Sequence, residues 1–122
     1  MKEDCIFCKI ANGQIPCKFV YETEDIVAFD DLNPQAPIHT LIIPKEHFET
    51  LEDVNDEKLL ANLMLAVKEV AKIKGAKNGF RTVINTKKEA GQEVFHLHIH
   101  LLAGRPLLWP PGWYDKNYKT YR

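Results

Sequence analysis

Three histidines alternate with two aliphatic residues near the C-terminus, His96-Leu97-His98-Ile99-His100, and the run continues into Leu101-Leu102. A period of two is a strand pattern. The three imidazoles then share one face, and Leu97, Ile99 and Leu101 share the other, which can be buried. Imidazole is the side chain best suited to proton transfer, nucleophilic attack and metal ligation near neutral pH. The chain has only 5 histidines, so three on one strand face point to a site rather than to scattered surface polarity. Two chemistries fit: a nucleophilic site, and a metal site, since alternate strand histidines suit zinc.

A second group stands near the N-terminus, Cys5-Ile6-Phe7-Cys8. Its two-residue spacer suits a metal or a redox pair. No βαβ pattern surrounds it, which favours metal over thioredoxin-like chemistry. Cys17 is left over, and an odd cysteine count argues against a disulfide framework.

These groups need elements to hold them. Asp4 can cap a short helix through Cys5–Asn12, which Gly13 ends. Lys18–Glu22 and Ile26–Asp30 read as strands joined by the polar turn Glu22-Thr23-Glu24-Asp25. Asn33-Pro34-Gln35-Ala36-Pro37 is a loop, because two prolines break a ladder. His39–Ile43 is a strand closed by Pro44. A long helix over Asn55–Lys74 repeats Leu59, Leu60, Leu63, Met64, Val67, Val70 and Ala71 at helical spacing, and Gly75 stops it. Phe80–Asn85 is a strand, Thr86–Gly91 a polar loop, and Val94–Leu102 the histidine strand. Hairpin-like connections favour an antiparallel sheet with helices on one side, an α+β fold.

The bulk properties exclude several classes. At 122 residues the chain fits one domain with a real core. A net charge of −1 supplies no field to recruit nucleic acid or an anionic membrane. No apolar run approaches membrane-spanning length, and Met1-Lys2-Glu3-Asp4 does not open a signal peptide. The expectation is a cytoplasmic protein.

Three strings carry a resemblance: Asp31-Leu32-Asn33-Pro34-Gln35-Ala36-Pro37-Ile38-His39 with Ile43-Pro44-Lys45-Glu46-His47, then His96-Leu97-His98-Ile99-His100, then Arg105-Pro106-Leu107-Leu108-Trp109-Pro110-Pro111-Gly112. Together they resemble the histidine triad family, and most of all its Hint-like branch of nucleoside phosphoramidases. The resemblance runs from Cys5 to Gly112, which gives a domain over residues 1–112 and leaves Trp113–Arg122 as a tail. It implies a five-stranded antiparallel sheet with one short and one long helix, dimerising into a ten-stranded sheet. It implies hydrolysis of nucleoside phosphoramidates or related adenylyl conjugates through a covalent nucleotidyl-histidine, with a purine nucleoside monophosphate released and no cofactor needed for the chemistry.

The roles carry over by position. His98 matches the nucleophile, and His39 and His100 match its flanking partners, with His96 completing the triad. Asn85 matches a residue beside the phosphate. Gly91, Gln92, Glu93 and Val94 match the phosphate-binding approach, where backbone N–H groups can face anionic oxygens. Asp31 matches a ribose-binding carboxylate. Ile6, Phe7, Ile10, Phe29 and Leu32 match the apolar walls around the base, although ordinary core packing would also explain them. Microbial relatives join a Cys-x-x-Cys to two histidines around structural zinc, and the matching set is Cys5, Cys8, His47 and His96.

The chain also departs from the pattern. Glu93 stands where animal members carry Ser near the leaving group, and a carboxylate there would attract amines and repel anions. Asp30 stands where some relatives have His, and Ala103 where some have Gly. Three other readings use the same residues: a nucleotide-binding regulator with little turnover, a dinucleoside polyphosphate hydrolase, and a metal-dependent hydrolase ligating through all three triad histidines.

Overall fold

In the computed structural model, residues 2–109 are described. The elements run α1 (Ile6–Ala11), β1 (Tyr21–Glu22), β2 (Ile26–Asp30), β3 (Ile38–Pro44), a 3-10 turn at Leu51–Asp53, α2 (Glu57–Lys74), β4 (Phe80–Val83), α3 (Lys87–Ala90) and β5 (Ile99–Ala103). The five strands form one antiparallel sheet in the order β1-β2-β3-β5-β4. The tail Trp113–Arg122 and the end of the Trp-Pro-Pro-Gly string lie outside the described residues.

Strand alternation divides the core in two. Ile26 and Ala28 of β2, Ile42 of β3, and Ile99, Leu101 and Ala103 of β5 face α2, which buries Leu59, Leu63, Ala66, Val67, Val70 and Ala71 against them. Burying one such aliphatic side chain contributes about 1.5–3 kcal/mol. Asp56 caps this helix by accepting from the N–H groups of Lys58 and Leu59. Gly75 ends it at φ 74°, a left-handed conformation that suits glycine. Val27, Phe29, Leu41 and Ile43 point the other way and pack on Phe7, Cys8 and Ile10 of α1. The helices therefore sit on both faces of the sheet, not one as the hairpin pattern suggested. Short α1 covers only part of its face, and the remainder is open.

Other boundaries moved for local reasons. The cap of α1 is Cys5, whose thiol accepts from the Cys8 N–H, and not Asp4. The first strand shrinks to Tyr21–Glu22, held by a turn in which Thr23 Oγ1 accepts from Asp25 and Ile26. The polar loop after β4 contains one helical turn, α3. The ladder of the histidine strand begins at Ile99. His96–His98 approaches it as an extended segment, tied by the Leu97 N–H to the carbonyl of Phe48 at 2.7 Å. Met64 belongs to the helical pattern but is exposed on α2.

Candidate active site and metal centre

On the α1 side, where the sheet is left open, lies a cavity of about 980 Å³. His98 and His100 form part of its wall. Register explains their neighbours: His100 lies opposite Leu41 on β3, and Leu41 lies opposite Phe29 on β2. Phe7 of α1 stands edge-on to His98, with ring centres 5.2 Å apart. His98 and His100 are themselves 4.9 Å apart.

Hydrogen bonds fix where each ring carries its proton. His98 Nδ1 lies 2.8 Å from the carbonyl oxygen of His96. A carbonyl can only accept, so Nδ1 holds the hydrogen and Nε2 keeps a free lone pair. The backbone N–H of Gln35 can only donate, and it donates to His39 Nδ1 at 3.0 Å. His39 therefore carries its hydrogen on Nε2 and gives it to His100 Nδ1, 2.9 Å away. His100 is left with its own hydrogen on Nε2, a donor on a ring that lines the cavity. Asp31 Oδ2 lies 3.4 Å from His39 Nε2, while its Oδ1 accepts from the Asn33 N–H.

Burial disfavours the charged form of His98 and His100. It pushes His100 down to about 4, helped by the nearby charges of His98 and His39. Burial lowers His98 as well, opposed by its bond to the His96 carbonyl and by the charges of Asp31 and Glu93.

The third triad histidine faces elsewhere. His96 donates Nε2–H to the carbonyl of Pro44 at 2.8 Å, which leaves Nδ1 as a lone pair. That Nδ1 lies 3.3 Å from Cys5 Sγ and 3.5 Å from Cys8 Sγ. His47 Nδ1 lies 3.3 Å from Cys8 Sγ. The donor atoms of Cys5, Cys8, His47 and His96 all fall within 4.8 Å of one another. Two thiols and two imidazole nitrogens facing one point fit a metal ion, and the donor types are those of a closed tetrahedral site. Without a cation, burial pushes the Cys5 thiol up. A bound cation would reverse that. The reading in which all three triad histidines share one metal does not fit this geometry, because His96 Nδ1 turns away from His98 and His100 toward the thiols.

The other expected residues divide. Ile6, Phe7, Ile10, Phe29, Asp31, Leu32, Asn85, Gly91, Glu93 and Val94 line the cavity with His98 and His100. Among them Leu32 is fully exposed and Ile6 half-exposed, so both stand at the mouth rather than in the core. His39 lies behind His100, not in the wall. Gln92 is buried and braces the loop: it accepts from the Lys87 N–H and donates to the carbonyls of Glu49 and Val94. The backbone N–H groups of Gly91 and Gln92 close the α3 turn onto the carbonyls of Lys88 and Lys87. They are not free to cradle a phosphate, contrary to expectation. Sequence reasoning missed Ile15–Val20, Asp30, Leu41, Ile73 and Lys74 as lining residues. Leu41 was findable, because alternation along β3 puts it on the histidine face. Ile73 and Lys74 come from the far end of α2 and left no local signal.

No helix among the described residues is long and apolar enough to cross a membrane. The HIT domain family profile matches residues 12–107. The chain is 51% identical to an uncharacterized HIT-like protein of Synechocystis, over 92% of this chain and all of that one. It is 52% identical to protein HitA of Neisseria gonorrhoeae, over 83% of this chain and 96% of HitA. Among solved structures, a HIT family hydrolase of Legionella pneumophila superposes with a TM-score of 0.85 at 51% identity, covering 89% of this chain and all of that one. A HIT family hydrolase of Clostridium thermocellum gives 0.86 at 40% identity, covering 91% and 99%. With its five-stranded antiparallel sheet, its paired histidines and these relatives, the chain belongs to the histidine triad (HIT) family.

Proposed function

We propose that the protein is a hydrolase of nucleoside 5′-phosphoramidates and related adenylyl conjugates, working through a nucleotidyl group carried on His98. The observation that carries this reading is the 2.8 Å bond from His98 Nδ1 to the His96 carbonyl. It keeps the hydrogen of the neutral ring on Nδ1 and leaves the lone pair on Nε2, the atom through which imidazole acts as a nucleophile.

In the proposed reaction Nε2 of His98 attacks the α-phosphorus and the P–N bond breaks. The amine leaves with the electron pair of that bond and takes a proton from solvent water, which the attacking water of the second step returns. His100 Nε2–H, set by the relay from Gln35 through His39, is the donor that contacts the phosphoryl oxygens. Asn85 is proposed beside it. Water then attacks phosphorus, the N–P bond to His98 breaks, and the nucleoside monophosphate leaves. Asp31 takes the ribose hydroxyls, and the base lies between Ile6, Phe7, Ile10, Phe29 and Leu32. Glu93 acts on the leaving group. Its charge already acts on His98, and a carboxylate there favours a departing ammonium over a departing phosphate. This favours phosphoramidates over dinucleoside polyphosphates. The intact nucleophile favours turnover over a purely regulatory nucleotide-binding role.

Zinc is the proposed occupant of the Cys5, Cys8, His47 and His96 set, with a structural role, since a closed four-ligand site leaves no position for substrate. Thiol ligands also suit a reducing compartment, which supports a cytoplasmic location. A homodimer is proposed too. β4 is an edge strand with Phe80 exposed, and α2 exposes Met64 and Leu65. The test of the catalytic reading is His98→Ala. It should keep its affinity for a nucleoside monophosphate and lose turnover, whereas wild-type turnover in the variant would refute the reading.

A further inference from the structure

The relay that sets the His100 hydrogen begins on an exposed loop. The Gln35 N–H donates to His39 Nδ1 at 3.0 Å, yet Gln35 is open to solvent while His39 is buried. A loop amide meets water and moves more than a strand amide. Part of what holds it is local. The Asp31 N–H donates to the His39 carbonyl at 2.9 Å and joins the two ends of the loop. Asp31 Oδ1 accepts from the Asn33 N–H at 2.8 Å, and Gln35 Nε2 donates to the Asn33 carbonyl at 3.2 Å. All three bonds lie within residues 31–39. They shape the loop without tying it to β5, the strand that carries His100.

The tie to β5 comes from the turn that leaves it. Ile38 pairs with Ala103, so this turn lies beside the loop that enters β3. Gly104 takes φ 97°, and a Cβ there would come within 2.9 Å of the Pro37 Cβ. The turn therefore sits against Pro37 with no room for a side chain at 104. The next residue, Arg105, donates Nη2–H to the Gln35 carbonyl at 3.0 Å, across 70 positions of chain. Its Nη1–H goes to the Pro106 carbonyl at 2.9 Å, which holds the guanidinium between its own backbone and the loop. A bond from a charged donor is stronger than one between neutral groups.

The direction of the relay is at stake. With the Gln35 N–H in place, His39 Nδ1 must accept, and the hydrogens run from Gln35 through His39 to His100, ending on His100 Nε2. Without it, only the long 3.4 Å approach of Asp31 Oδ2 to His39 Nε2 favours that order. The opposite order then becomes accessible. His39 carries its hydrogen on Nδ1 and accepts the His100 Nδ1–H on Nε2, and His100 Nε2 is left as a lone pair. A lone pair repels the phosphoryl oxygen that an N–H attracts. We propose that Arg105 is a positioning residue for the reaction: by holding the Gln35 carbonyl it keeps the Gln35 N–H on His39, and so keeps a hydrogen on His100 Nε2. The use of that hydrogen on phosphate rests on the proposed hydrolase reading, whereas the anchoring of the tautomers does not.

The test uses Arg105→Ala and Arg105→Lys in the full chain. Two-bond nitrogen–proton correlation spectra of the imidazole rings, recorded without substrate and above their titration range, show which nitrogen carries each hydrogen. Wild type should show His39 and His100 each protonated on Nε2. Arg105→Ala should populate the reversed order, as shifted or doubled ring signals. Its kcat on an adenosine phosphoramidate should fall roughly 3–10-fold, with most of the loss in kcat rather than KM, about what one exposed charge-assisted bond supplies. Arg105→Lys keeps one charged donor and should recover most of both. Wild-type tautomers in Arg105→Ala, whatever its melting temperature, overturn the inference and leave the hydrolase reading standing. Reversed tautomers with an unchanged kcat uphold the anchoring and remove His100 from the proposed reaction.

Discussion

His98 gives its Nδ1 hydrogen to the carbonyl oxygen of His96, whose own ring faces the thiols of Cys5 and Cys8. One residue therefore belongs to two sites. Its backbone sets the tautomer of the proposed nucleophile, and its side chain is a candidate metal ligand. An ion held by the candidate metal ligands would brace the segment that carries the proposed nucleophile, which precedes the β5 ladder and has no strand partner of its own at His98.

Removal of the metal should therefore act on stability first. Protein prepared without added metal should carry about one zinc per chain by elemental analysis, as four ligands of this kind imply. Chelation, or Cys8→Ser, should lower the melting temperature by several degrees. A zinc content near zero with unchanged melting after chelation would show that Cys5 and Cys8 are only packed thiols.

Glu93 should set the preference for the leaving group. In Glu93→Ser the ratio of turnover on an adenylyl alkylamine to turnover on a diadenosine polyphosphate should fall by roughly tenfold, about what one nearby charge supplies at a partly exposed site. An unchanged ratio would remove Glu93 from the account.

His100 makes stability depend on pH. Its folded-state value is near 4, against an ordinary 6.5. Between those values the unfolded chain binds the proton and the folded one does not, so stability falls as pH drops from about 6.5 toward 4. In metal-loaded protein, His100→Asn should flatten that part of the profile in denaturant titrations at pH 7, 6 and 5. A variant profile parallel to wild type would contradict the assignment.

Lys87 opens α3 at φ 70°, the one described residue other than glycine with positive φ. A side chain there is strained. Lys87→Gly should raise the melting temperature by a few degrees, whereas Lys87→Ala, which keeps the strain, should not. Its ion pair with Glu52 is surface-exposed on both sides and offers little to lose.

Much of this site was legible in the sequence, for physical reasons. A period of two survives whether or not the ladder is formed, so the histidine face could be read although pairing begins only at Ile99. The pairing of Cys5 with Cys8 could be read from spacing, and the family resemblance added His47 and His96 to the candidate set. What could not be read were groups whose role depends on a distant backbone. The tautomer of His98 depends on the His96 carbonyl, and that of His100 on the Gln35 amide two links away. Gln92 gave no sign that it would turn inward to the Glu49 carbonyl. Lys74 meets Asp30 across 44 positions of chain, and only the packing of α2 on the sheet joins them. The second face of the sheet was missed because a helix as short as α1 carries too few apolar residues to announce which side it covers.

The central claim is that His98 carries the nucleotidyl group. Wild-type protein mixed with an adenosine phosphoramidate and quenched within milliseconds should yield, by mass spectrometry, a peptide bearing one adenylyl group on His98. The adduct should decay as the monophosphate appears. Turnover at the full rate with no adduct on His98 at any time point, or an unmodified His98 beside an adduct on another residue, would contradict it.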